Sequence, residues 1–343
     1  MKTNNIQGKK IVLIGGAGFI GHNLAMFLKN KGAEVFILDS LEVNNLNSVI
    51  GNADNLPYPE LSLSIIQSRL KILRKENIKI LVQDARDYHK LSDTLTSLKP
   101  NIIIQLCAVS HANKSNKDPH STFDHSFRTL ENALDNAKKR VEHFIYFSSS
   151  MVYGNFTTKG LKEEAICKPI GIYGALKLSG EYILKAYNQV FDLPYTIIRP
   201  SALYGERCIS RRVGQIFIEN ALHDQDLDVY GDDNESLDFT YINDLIKGVY
   251  NVLSSENSKN QTFNLTYGSE RKILDMAEIV KSHFPKIKIN LKKRDKLMPI
   301  RGTLSIEKAQ KLIGYNPEWS LEKGYPEYIN WYKNFTKLNV KSK

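Results

Sequence analysis

Between residues 11 and 21 the chain reads Ile-Val-Leu-Ile-Gly-Gly-Ala-Gly-Phe-Ile-Gly, an apolar β-branched run that passes through glycines straight into an amphipathic stretch. Gly16, Gly18 and Gly21 satisfy GxGxxG, and Gly15, Gly18 and Gly21 satisfy GxxGxxG. A strand-to-helix turn of this composition lets backbone N–H groups and the positive end of a helix meet a pyrophosphate with no Cβ in the way. The next apolar run ends in Asp39, 18 residues after Gly21, close to the ~20 expected for an acid on the adenosine ribose. A carboxylate there accepts both ribose hydroxyls and repels a 2′-phosphate, so NAD is expected rather than NADP; the alternative is that Asp39 only turns the chain. The acidic patch Asp84-Ala-Arg-Asp87 follows the third apolar run and places Asp84 within reach of an adenine, or serves as a helix cap.

Along the chain, short β-branched runs alternate with stretches of helical periodicity, the pattern of βαβ units and a parallel sheet. Strands are expected at 10–14, 34–38, 79–83, 101–106, 143–148 and 195–199, and helices at 18–31, 88–98, 118–139 and 173–191. These predict an α/β fold with a Rossmann-type doubly wound parallel sheet. After Tyr204 the alternation loosens, which predicts a smaller, mostly C-terminal substrate-binding domain. The expected division gives 1–205 to the cofactor, with 236–268 returning to it through a strand near 262–265, and 206–235 with 269–335 to the substrate.

Hydrophobic residues at 42% and charged residues at 24% are the balance of a soluble globular protein. No apolar run reaches the ~18 residues of a membrane span. The run behind Lys9 and Lys10 has the outline of a secretion signal, but its glycines suit a nucleotide loop, and it is read as the start of the mature domain. Cys107, Cys167 and Cys208 lie far apart without metal-ligand spacing, so neither a disulfide framework nor a metal site is expected, and a cytoplasmic location is. The net charge of +10 is spread over the chain, densest at 281–296 around Lys286, Lys288, Lys292, Lys293 and Arg294. That run reads as a solvated face, with an anion-binding rim as the alternative. Trp319, Tyr325, Tyr328 and Trp331 read as core.

The stretch 169–177 contains Tyr173-x-x-x-Lys177, two side chains on one helical face a turn apart. A nearby ammonium favours the phenolate, and such a tyrosine can remove a proton from a sugar hydroxyl near neutral pH. Upstream, the fifth strand ends in Ser148-Ser149-Ser150 at the carboxyl edge of the sheet, where doubly wound folds bind ligands. His111, beyond the fourth strand, reads as a solvated or satisfied loop residue.

With these motifs in order, and with Ile104-Gln-Leu-Cys-Ala108, Arg199-Pro200, Tyr204-Gly205, Asp238-Phe-Thr-Tyr and Gly314-Tyr-Asn-Pro317, the sequence resembles the extended short-chain dehydrogenase/reductases, the nucleotide-sugar epimerases and dehydratases. The resemblance implies Tyr173 as catalytic base, Lys177 on the nicotinamide ribose lowering the tyrosine pKa, and Ser149 as proton relay, with Ser150 the next choice. It implies cofactor contacts from Gly15, Gly18, Phe19, Ile20, Gly21, Asp39, Asp84, Ala85, Leu106, Ala108, Tyr173 and Lys177. Substrate contacts are expected from Ser150, Met151, Arg211, Arg212 and Arg301, and a homodimer is implied.

The acids that dehydratases and decarboxylases of this family carry near the serine are replaced by Ser150 and Met151, and the cysteine of the two-carbon epimerases is also Met151. The simplest remaining chemistry is oxidation and re-reduction at C4 of a nucleotide-diphosphate sugar, an NAD-dependent 4-epimerase acting through a 4-keto sugar. Alternatives are a 4,6-dehydratase or decarboxylase, then a ketosugar reductase, and outside enzymes an NAD-sensing or RNA-binding protein; neither nucleic acid nor membrane is the expected partner. Leu237 stands where many relatives place an arginine on the pyrophosphate, leaving Arg211, Arg212 or Arg301 to compensate. Gln105 and His125 replace a His and an Asn and are treated as structural, and Ala202 replaces an Asn.

Overall fold

The computed structural model describes residues 5–51, 53–109, 112–231, 234–294 and 298–339. Its centre is a sheet of seven parallel strands: β1 (Lys10–Ile14), β2 (Glu34–Asp39), β3 (Lys79–Val82), β4 (Ile102–Gln105), β5 (His143–Phe147), β6 (Tyr195–Arg199) and β7 (Gln261–Asn264). They lie in the order β7-β6-β5-β4-β1-β2-β3, so the order reverses beside β1 and opens a crevice at the carboxyl ends of β1 and β4. The inner strands are buried on both faces, while the edge strand β3 is partly exposed. Ile11, Leu13 and Ile37 pack into one apolar cluster, and Val12, Ile14, Phe36 and Leu38 into another on the opposite face, as the two-residue period of a strand requires.

Helices cover both faces: α1 (Phe19–Asn30), α2 (Pro59–Lys75), α3 (Tyr88–Leu98), α4 (Thr129–Ala137) and α5 (Gly171–Phe191). Two departures from the sequence expectation affect the site. The helix expected over 118–139 is interrupted: a short helix at Pro119–Phe123 runs into a π-turn at Asp124–Arg128 before α4 begins. The π-turn widens the backbone where Thr129 Oγ1 donates to the His125 carbonyl, 2.9 Å away. Helix α2 was not expected at all, because prolines and asparagines precede it. Its Pro59 instead occupies the first turn, where a proline is tolerated, and its buried residues Leu61, Ile65, Ile66, Arg69 and Leu73 make a stripe at helical spacing.

After β6 the chain forms α6 (Val213–Leu222), α7 (Ile242–Ser254), α8 (Ile273–His283) and α9 (Leu321–Asn339), with three two-stranded ladders. Residues 261–264 return to the main sheet as β7, paired with β6. Tyr325 and Tyr328 are fully buried, and Tyr325 Oη donates to the Gly214 carbonyl at 2.7 Å, tying α9 to α6. The basic run contributes the strand Ile289–Lys292, parallel to Leu227–Tyr230. Among the described residues no helix is long and apolar enough to cross a membrane.

Beneath the carboxyl edge of the sheet, Arg199 at the end of β6 is ion-paired with Glu181 of α5 at 2.6 Å, both side chains almost wholly buried. Removing one partner strands the other charge, so Glu181→Gln is expected to destabilise the fold by about 3–5 kcal/mol. The urea-unfolding midpoint reads this, and combining it with Arg199→Met should cost less than the sum of the single changes.

Candidate functional site

The first cavity follows the glycine loop. A Cβ on Gly15, whose φ is +81°, would come within 2.7 Å of the Cys107 nitrogen, and one on Gly21 within 2.4 Å of the Gly16 carbonyl oxygen. At Gly18 the nearest protein atom would be 3.6 Å away, which leaves open space on the cavity side. Gly18 caps α1 without any side-chain hydrogen bond, so the first N–H groups of that helix remain available to an anion. The buried Asp39 carboxylate accepts from the Ala17 N–H at 2.9 Å and the Leu41 N–H at 2.8 Å, and burial raises its pKa. It therefore holds the loop closed while lining the cavity. Phe19, Ile20, Ala85, Leu106 and Ala108 line the same cavity, together with the glycines, Asp39 and Asp84. This cradle, its uncapped helix end and its ribose-facing acid fit a dinucleotide.

Asp84 lines the same cavity with its carboxylate held by Arg86, whose Nε and Nη2 donate to Oδ2 at 2.8 and 2.6 Å. His125, read as structural, lies on the cavity wall with burial lowering its pKa. Gln105 is buried and donates to Thr129 Oγ1 at 3.1 Å. His111 lies outside the described residues.

A second cavity of about 330 Å³ adjoins the first and shares Ile20, Leu106, Ala108, Leu203 and Arg212 with it. Ser149, Ser150, Met151, Tyr173, Lys177, Arg211, Arg212 and Arg301 all face it. The three serines point to different partners. Ser148 donates to the Glu181 carboxylate, Ser150 accepts from Arg301, and Ser149 accepts from the Met151 N–H at 3.1 Å and lies on the cavity wall with Tyr173, whose pKa it lowers. The three hydroxyls thus differ in their partners: Ser148 and Ser150 are engaged by Glu181 and Arg301, and Ser149 is the one that acts on the Tyr173 pKa.

Lys177 lines this cavity beside Tyr173. Its Nζ donates to the Phe147 carbonyl at 2.6 Å, anchoring α5 to the end of β5, and burial lowers its pKa to about 8. Burial raises the pKa of Tyr173, and what opposes it is the charge of Arg212, the Ser149 hydrogen bond and the charge of Arg301. The cations favouring phenolate are therefore the two arginines.

Arg301 reaches across the serine turn. Its Nη1 lies 2.8 Å from Met151 Sδ and its Nη2 is 3.2 Å from Ser201 Oγ, while its Nε is buried without a partner. Burial lowers its pKa to about 10. Arg212 likewise has a buried, unpartnered Nε. Arg211, also on the cavity wall, is paired through Nη1 with the buried Glu219 at 2.6 Å. Leu237 adds apolar surface to the cavity. Asp238 accepts from the Gly268 and Leu304 N–H groups at 3.0 and 3.1 Å, which pins the segment carrying Arg301. The sequence offered Asp238 as part of a motif without a task; its role appears only when 268 and 304 meet.

Residues 11–266, which contain the dinucleotide cradle, the phenol and the serine, match the family model described as the NAD dependent epimerase/dehydratase family. The chain belongs to that family. Its cofactor is NAD, as expected from Asp39. A putative UDP-glucose 4-epimerase of Methanocaldococcus jannaschii is 29% identical over 94% of this chain and 98% of its own length. UDP-glucuronate 4-epimerase 1 of Arabidopsis thaliana is 24% identical over 98% of this chain and 79% of its own. The crystal structure of UDP-glucuronic acid 4-epimerase from Bacillus cereus, with UDP-glucuronic acid and NAD, superposes with a TM-score of 0.84 at 25% identity, covering 95% of this chain and 99% of that one.

The arginine arrangement sets a pH dependence. Loss of a cation disfavours phenolate and raises the Tyr173 pKa, so in Arg301→Met the rising limb of kcat against pH moves to higher pH, while Arg301→Lys retains most of the wild-type position. A raised KM with an unmoved limb would restrict Arg301 to binding.

Proposed function

We propose that this member of the family is a nucleotide-sugar 4-epimerase that works through a transient 4-keto sugar. The observation that carries the reading is the makeup of the second cavity: a Tyr173–Ser149 pair, two arginines with unpartnered nitrogens and, among the described residues, no Asp or Glu on its wall. A 4,6-elimination needs an acid at the sugar, and this wall offers none.

In the proposed reaction Tyr173, assisted by Ser149, takes the C4 hydroxyl proton and later returns it to the same oxygen, once the turned ketone has taken the hydride back on its other face. NAD supplies the hydride acceptance and return at C4. Arg212 and Arg301 carry the positive charge toward a diphosphate that Leu237 cannot, and residues 1–205 with 236–268 serve the cofactor while 206–235 and 269–335 serve the substrate. Holding the nucleotide remote from C4 contributes to turnover through orientation.

Tyr182 and Val190 of α5 are 64% and 68% exposed, and Phe123 is 40% exposed. We assign these apolar side chains to contact with a second copy of the chain; Tyr182→Glu should turn a dimer into a monomer by light scattering. The three free cysteines suit a cytoplasmic location.

NMR in D₂O with UDP-, dTDP-, GDP- and CDP-sugars, uronic acids included and no reductant added, tests the reaction. A C4 epimer without carbon-bound deuterium is the expected product; lost water, lost CO₂ or deuterium in the sugar would overturn the epimerase. Tyr173→Phe is expected to fold and keep NAD while turnover falls by at least ~100-fold.

A further inference from the structure

Arg69, on the unexpected helix α2, is 1% exposed. Its Nε and Nη2 both donate to one neutral acceptor, the Arg207 carbonyl, at 2.9 and 2.5 Å, and its Nη1 is buried without a partner. Among the described residues no carboxylate forms an ion pair with it; Asp39 acts on it through space, with its oxygens already on the Ala17 and Leu41 N–H groups. Fully buried arginines are almost never left unpaired, because a charge held only by neutral groups costs several kcal/mol of desolvation.

The wall in which this charge sits explains it. Arg69 lines the cofactor cavity together with Gly15 and Gly18 of the phosphate loop and Asp39 of the ribose end. The loop itself, residues 15–21, contains no Lys or Arg and offers only backbone N–H groups to an anion. We propose that Arg69 is a positioning residue that supplies the counter-charge for the NAD diphosphate and, through the Arg207 carbonyl, braces the loop that carries Ser210 and Arg212 to the cofactor. Ser210 and Arg212 line the same cavity, and Arg207 Nε donates to Ser68 Oγ at 3.2 Å, so the loop is held to α2 at two points. In the empty protein the guanidinium is uncompensated; the diphosphate relieves it. Burial and the Arg69 charge both lower the pKa of the adjacent His22, which is therefore neutral and adds no second cation. The inference rests on the family's cofactor and is independent of which sugar is turned over.

The test compares wild type, Arg69→Met and Arg69→Lys after stripping NAD, by calorimetric NAD titration, by NAD released per subunit from the protein as purified, and by thermal unfolding of the empty form. Expected for Arg69→Met is an NAD affinity at least ~10-fold weaker, about 1.4 kcal/mol, less NAD retained, and an empty form that melts no lower than wild type. Arg69→Lys, which keeps the charge and loses the fork on Arg207, should recover part of the NAD affinity. Wild-type NAD affinity in Arg69→Met would overturn the proposal. So would a Met variant that unfolds or melts well below wild type, because the empty fold would then depend on the charge for itself. Loss of epimerase activity alone, with NAD binding intact, would also count against it and leave the epimerase reading untouched.

Discussion

Arg199 carries a charge into the interior, and the site takes its shape from how that charge is satisfied. Nε and Nη2 go to the two oxygens of Glu181 at 2.9 and 2.6 Å, and Nη1 goes to Tyr153 Oη and the Glu163 carbonyl at 2.8 and 2.9 Å. Tyr153 in turn donates to Asn264 of β7, whose amide reaches the carbonyls of Leu161 and Ser305. Buried ion pairs are tolerated when every remaining donor and acceptor is met, which makes such a network intolerant of displacement. Tyr173, Lys177 and Glu181 follow one another at four-residue spacing along α5, so the anchor on Glu181 sets the register of the catalytic face. Ser148 binds the same carboxylate, which aligns the serine turn with that helix.

The second organising influence is unneutralised positive charge. Arg69, Arg212 and Arg301 each keep a buried nitrogen without a partner, and all three line the two joined cavities. In the proposed reaction a nucleotide-diphosphate sugar and a dinucleotide bring two diphosphates to this place, where the arginines would face them. The net charge of +10 thus has a functional part inside the cleft, while the basic run near 289–292 is an exposed strand in which Lys292 is 3.6 Å from Asp228. Arg212 and Arg301 also bias Tyr173 toward phenolate, which links charge and base strength through those two side chains.

Much of this was legible in the residues. Short apolar β-branched runs and glycine spacing located all seven strands of the main sheet, the last as a returning strand near 262–265, and the cofactor loop, because those signals come from local geometry: a strand buried on both faces is continuously apolar, and a phosphate turn excludes Cβ atoms. Tyr173-x-x-x-Lys177 was legible for the same reason. Helix α2 was not, since prolines and asparagines at its start hide a stripe whose partner, the 207–210 loop, lies far along the chain. The π-turn before α4 was hidden too, because a one-residue insertion leaves helical periodicity nearly intact.

By itself the sequence determined the doubly wound sheet, the NAD loop, the acid after β2 and the tyrosine of the reaction, all set by side-chain types within a turn or a strand of each other. Tertiary structure decided how the three serines divide their partners, that Lys177 is tied to the end of β5, that Arg212 and Arg301 act on the phenol, that Arg86 pairs with Asp84 and Glu219 with Arg211, and that Asp238 holds the Arg301 segment. Each of these depends on partners tens of residues away or more, or on a choice among near neighbours that only the packed backbone makes. Hydrogen-bond direction and buried charge are properties of a place in space, and no local spacing encodes them.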